Sequence, residues 1–224
     1  MAPKPAPGVR VPVWDLPIRL YHWLTVVLVA VAWWTAEAGR MEYHRYCGYA
    51  LLGLVSFRIY WGFAGSGTAR FSQFVKGPRA ILSYLRGRYA LVSGHNPLGA
   101  LSVVALLALL LAQIVLGLFA VDIDGIESGP LSLYVSFDAG RAAAEWHEEL
   151  FNVLLGLIAL HVAAVFYYVI VRKQNLLAAM WHGKRNYPVA GVPAVRVAPV
   201  WRLLVGVVLA VALTWMVARA FQFA

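Results

Sequence analysis

The chain has 224 residues, 62% of them hydrophobic and 13% charged, and a formal net charge of +9. An ordinary soluble domain is about 45–50% apolar, so this composition excludes that class and marks an integral membrane protein. The basic balance reads as a topology signal with contact to anionic lipid, and nucleic-acid binding is a poor explanation of it.

In chain order, the amino-terminal dozen residues, MAPKPAPGVRVP, are Pro-rich and read as an extended tail. Residues 18–36 form the first apolar stretch. No small-residue cleavage site precedes it, so it reads as a retained helix rather than a signal peptide. Further apolar stretches follow at 47–64, 98–121, 150–171 and 200–218. Each approaches or exceeds the roughly 20 residues that cross a hydrocarbon core at about 1.5 Å per residue. Between the second and third lies a basic segment in which FSQFVKGPRAILSYL predicts a short interfacial helix. In SGHNPLG the Asn-Pro step predicts a side-chain cap at a helix start. The segment VDIDGIESGPLSLYVSFDAGRAAAEWHEE reads as a long acidic loop broken by Gly and Pro, and RKQNLLAAMWHGKRNYPVAGVPAVRVAP as a surface segment. The fifth stretch carries no histidine and reads as packing.

This is an all-α integral membrane bundle. Residues 1–185 form a four-helix domain, and residues 186–224 a linker with an additional transmembrane helix. With the amino terminus in the cytoplasm, all but four of the 19 Lys and Arg fall on inner segments; the exceptions are Arg40, Arg45, Arg141 and Arg219. Every acid except Asp15 falls outside. That arrangement obeys the positive-inside rule and predicts a periplasmic carboxyl terminus. Cys47 is alone, so no intramolecular disulfide and no CxxCH attachment site exists, and any haem is held non-covalently.

The chemistry lies in the histidines. His161 sits deep in an apolar run, where an unpaired polar group is costly and tends to be functional; a hydrogen bond to a neighbouring helix is the alternative. His147 precedes it by fourteen residues, which places the two rings about 40° apart in azimuth and about 21 Å apart along one helix. One metal ion cannot span that distance, since metal–nitrogen bonds are about 2 Å. Each histidine therefore needs a partner at its own depth. Topology allows His44 with His147 near the outer face and His22 with His161 near the inner face. His22 lies about 9 Å inside its helix and His161 about 16 Å above Arg172, a mismatch that a fourth helix protruding into the cytoplasm would remove. Paired imidazoles of this kind suit low-spin haem iron, which transfers electrons and binds no gas.

Gly48, one turn after His44, together with Gly53 and Gly156, offers room for a macrocycle, with small-residue helix packing as the equal alternative. Arg58 either faces a haem propionate or snorkels to the inner surface, and snorkelling is the default. His95 is the second candidate for the inner site, and His182 reads as a surface residue. No Ser/His/Asp set, Gly-rich phosphate loop or intramembrane carboxylate pair is present, which disfavours hydrolysis and phosphoryl transfer.

The strings VWDLPIRLYHW, RIYWGF and GHNPLG, with the paired histidines of the fourth stretch, resemble the bacterial cytochrome b561 and nickel-hydrogenase b-type cytochrome family over residues 11–185. The resemblance implies two haem b groups with His22, His44, His147 and His161 as axial ligands, and Arg58 and Gly48 join them as candidate cofactor-binding residues. It further implies electron transfer in the inner membrane between a periplasmic c-type cytochrome or oxidoreductase subunit and the quinone pool. The quinone site is expected near Trp14, Asp15 and Arg19. An electron-transfer subunit is favoured over a stand-alone enzyme. The alternatives are a self-contained superoxide:quinone oxidoreductase, the anchor subunit of a hydrogenase, and a His-lined metal-ion transporter, which would be colourless.

Overall fold

The computed structural model describes residues 9–88, 94–124, 126–187 and 196–220. Residues 1–8 of the expected tail, and parts of the two basic surface segments, lie outside them. In chain order the elements are β1 (Val9–Pro12), α1 (Leu16–Glu37), α2 (Met41–Ala64), α3 (Phe71–Phe74), α4 (Pro78–Leu85), α5 (Pro97–Phe119), α6 (Phe137–Ile170), α7 (Leu176–His182), β2 (Lys184–Tyr187) and α8 (Val200–Ala220). Five of them, α1, α2, α5, α6 and α8, are long and apolar enough to cross a membrane. The architecture is an all-α membrane bundle, as the composition predicts.

Helix starts follow local chemistry. Asp15 caps α1 by accepting the Ile18 N–H at 2.9 Å, with Pro17 in the first turn. Asn96 caps α5 by accepting the Gly99 N–H at 2.7 Å, with Pro97 at the first helical position. Both pairs satisfy amide groups that a helix start leaves without partners. Gly39, at φ +65°, closes the tight turn that makes α1 and α2 antiparallel.

Helix α2 is the axis of the bundle and packs on α1, α8 and α5, while α5 in turn packs on α6. One core cluster gathers Leu51, Leu52, Val55, Leu110, Ile114 and Leu154 from α2, α5 and α6. The apolar residues left on the perimeter, such as Leu20, Val27, Leu160 and Leu209, are half or more exposed and form the surface that lipid would solvate.

Three expectations are corrected. Helix α6 begins at Phe137 rather than at residue 150, because Ser136 caps it through the Ala139 N–H at 3.3 Å and an Ala-rich turn follows. The second half of the acidic loop is therefore helix. The additional length lies at the His147 end; at the other end α6 stops at Ile170, where the apolar run predicts. The expected interfacial helix is two, α3 and α4, separated where Gly77 and Pro78 interrupt the run. The last residues of the tail are a strand: β1 pairs antiparallel with β2, with Val11 opposite Arg185 and Pro12 opposite Lys184.

Candidate functional site

At the end of the bundle where α1 meets α2, the rings of His44 and His147 lie 6.0 Å apart between centroids, nearly perpendicular at 84°. Each ring is oriented through its Nδ1. His44 Nδ1 lies 2.8 Å from the Ala32 carbonyl of α1, and His147 Nδ1 lies 2.8 Å from the Gln113 carbonyl of α5. With Nδ1–H donated to a carbonyl, the lone pair of a neutral imidazole sits on Nε2, which is how a metal-ligating histidine is normally held. Gln113 returns the contact by donating its Nε2–H to the His147 carbonyl at 2.8 Å. One Nε2 from α2 and one from α6 would thus be available to hold a haem iron at this pair.

Space at this site is set by glycines. Nothing lies within 4 Å of the position a Cβ would take at Gly48, one turn after His44, and the same holds at Gly156, which lies on α6 nearer to His161. At Gly117 of α5 a Cβ would stand 2.8 Å from His147 Cε1, so the absence of a side chain is what lets the ring approach. At Gly53 the packing alternative holds: its Cβ position meets Thr214 Oγ1 of α8 at 3.0 Å.

At the other end, His22 of α1 lies beside Trp23, and its buried Nδ1 has no hydrogen-bond partner. His161 Nδ1 lies 3.3 Å from Ser102 Oγ of α5. His161 is within electrostatic range of both His22 and His95, so the predicted pair and the second candidate share one neighbourhood. His95 packs between Trp14 and Phe74, at 4.5 and 4.7 Å between ring centroids, and its Nδ1 is also buried without a partner. Burial first, then the Arg58 guanidinium and His161, push this imidazole down to about 3 and keep it neutral.

Arg58 does not snorkel. It is 4% exposed, donates from Nη1 to the Ala69 carbonyl at 3.3 Å and lies over the Phe71 ring at 4.9 Å. His182 is exposed, as its sequence context predicts. Of the three residues expected near a quinone, Trp14 packs on His95 and Arg19 donates to the Trp181 carbonyl. Only Asp15 lines the groove of about 820 Å³ between α1, α2 and α8.

Among the described residues no group of three or more His, Cys, Asp or Glu side chains is placed to hold a metal ion. The donors come as one imidazole pair beside open space at one end and, at the other, as His22, His95 and His161 in one neighbourhood with two orphaned ring nitrogens. That donor set fits haem iron. Sequence reasoning missed Gln113, Gly117, Ser102 and the Ala32 carbonyl. Gln113 carried a signal, as a polar side chain inside an otherwise unbroken apolar span.

A family model described as prokaryotic cytochrome b561 matches residues 13–183. No curated protein and no solved structure matches the chain.

Proposed function

The chain belongs to the prokaryotic cytochrome b561 family of membrane b-type electron-transfer cytochromes, and from that premise we propose that it carries two haem b groups and passes electrons across the inner membrane. His44 and His147 would hold one haem, His22 and His161 the other. Bound between two imidazoles, each haem supplies one-electron transfer with no open position for a gas ligand. The observation that carries this reading is the His44–His147 pair, 6.0 Å apart with each Nδ1 committed to a carbonyl.

The protein's own residues orient and insulate. Ala32 and Gln113 fix the ring planes of one pair, and Ser102 steers His161. The shared helix α6 sets the separation of the two pairs, and the apolar core around Val55 and Leu154 excludes water between them.

Charge supports the direction. Acids at the His44 end, among them Asp122, Glu127 and Glu145, would face the periplasm and suit a basic c-type cytochrome or an oxidoreductase subunit. The basic His22 end would face the cytoplasm, with the carboxyl terminus outside. The α1–α2–α8 groove supports a quinone at that end, since Asp15 and Tyr21 line it and Tyr21 directly precedes His22.

The purified chain tests this by its reduced-minus-oxidised spectrum and haem content. Two b-type haems per chain are expected, with one lost in His147→Ala and one in His161→Ala. A colourless protein, or loss of haem on His95→Ala with retention of both on His161→Ala, rejects the assignment.

A further inference from the structure

Arg58 is a buried cation in search of an anion. Among the described residues its one hydrogen bond is to an uncharged carbonyl at 3.3 Å, and its guanidinium lies over the face of Phe71. Both salt bridges among the described residues lie elsewhere, Arg45 with Glu127 and Arg141 with Glu145. Tyr21 and then Asp15 act on Arg58 electrostatically, but Asp15 forms no salt bridge with it among the described residues, and each of its oxygens already accepts one hydrogen bond. Oδ1 accepts the Ile18 N–H and Oδ2 the Trp61 Nε1–H, each at 2.9 Å. A buried charge is normally paired, and an unpaired one is strongly destabilising.

An unpartnered ring nitrogen lies in the same neighbourhood. His95 Nδ1 is buried and has no acceptor. The two residues flank one aromatic cluster: Arg58 over Phe71, Phe71 against Phe74 at 5.7 Å, and Phe74 against His95 at 4.7 Å. The guanidinium is also close enough to bias the His95 ring. One carboxylate placed between them would satisfy both, accepting from the guanidinium and from the imidazole N–H. His161 lies in electrostatic range of His95, so that carboxylate would sit beside the His22–His161 site.

Resting on the di-haem reading, we propose that Arg58 and His95 are the propionate-binding end of the His22–His161 haem. His95 is then a hydrogen-bond donor to the haem carboxylate and not an axial ligand. Arg58 is a positioning residue that also offsets the propionate charge. Removing the cation leaves a negative charge near the iron, which favours the oxidised form and lowers the midpoint of that haem.

The experiment is redox titration and low-temperature EPR of the purified holoprotein and of Arg58→Gln, Arg58→Lys and His95→Gln. Arg58→Gln is expected to lower the midpoint of one haem while the other stays put, and Arg58→Lys to restore most of the difference. His95→Gln is expected to keep two low-spin haems and lower the same midpoint by less. An unchanged midpoint in both Arg58→Gln and His95→Gln overturns the proposal, and so does loss of a low-spin haem in His95→Gln, which would make His95 an axial ligand. If Arg58→Gln does not fold, the His95→Gln midpoint decides alone. A wild-type midpoint that moves on titration with chloride or inorganic phosphate identifies a free anion as the occupant and also overturns it. A wild-type protein with fewer than two haems fails earlier, at the di-haem reading, and is recognised by its haem content alone.

Discussion

At the scale of single residues, the most demanding position is one with no side chain. Gly117 admits the His147 ring to the surface of α5, where the ring reaches the Gln113 carbonyl. Gly117→Ala places a methyl group 2.8 Å from His147 Cε1. Overpacking of this kind costs about 1–3 kcal/mol and forces a side chain off its rotamer. The expected outcome is weakened or lost haem at the His44–His147 site with the other haem's spectrum intact, read from haem content and the difference spectrum. Equal, full occupancy in the variant would show that the ring has another way to lie. That His147 and His161 share a face of one helix at different depths was legible in the sequence, because spacing along a helix fixes both, and so was the approach of His44 to His147. What orients them was not, since the Ala32 and Gln113 acceptors are backbone carbonyls, which every residue carries. Arg58 was misjudged in the other direction: a long cationic side chain near a helix end usually reaches water, and here Phe71 and Ala69 close over it.

Between elements, a polar knot joins what the apolar pattern leaves loose. Tyr84 of α4 meets the Tyr168 hydroxyl of α6, and Asn96 at the start of α5 donates to both phenols at 3.0 Å. Burial first, then the bond that Tyr84 donates to Tyr168, raises the Tyr84 phenol to about 12. A phenol whose proton is held more tightly in the folded state stabilises that state below its unfolded value near 10. The contribution is lost as pH rises from about 10 through about 12. Thermal melts between pH 9 and 12 should therefore show an alkaline loss of stability that is smaller in Tyr84→Phe. Identical pH profiles for the two proteins would exclude Tyr84 as its source. The helices that cross the bilayer were readable from hydropathy alone, but the start of α6 was not. Glu145, Glu148 and Glu149 break the apolar window, so the run reads as starting at residue 150, while the true start depends on the Ser136 cap fourteen positions upstream. The pairing of β1 with β2 was invisible for a different reason. Neither four-residue strand has a pattern of its own, and its partner lies at the far side of α6 and α7.

For the molecule as a whole, charge asymmetry is the feature with a global consequence. Reporter fusions after Lys76 and Asp124 should fall on opposite sides of the membrane, Lys76 with the amino terminus in the cytoplasm. Both reporters on one side would refute the orientation and with it the placement of partner and quinone. The bundle also has a seam. The Thr68 hydroxyl donates to the Val13 carbonyl, and Gly183, at φ +77°, offers its carbonyl to the Val13 and Trp14 N–H groups at 2.7 and 3.1 Å. Here β1 and β2 bring together the two margins of the family-matched region, ahead of residue 13 and after residue 183. Synthesis proceeds from the amino terminus, and domains fold as units as they emerge. The clasp can therefore shut while α8 is still inside the ribosome or translocon. The helices α1, α2, α5 and α6 are then closed into one body, to which α8 is added afterwards, and a nascent chain halted just beyond Tyr187 already contains every residue that the closure requires.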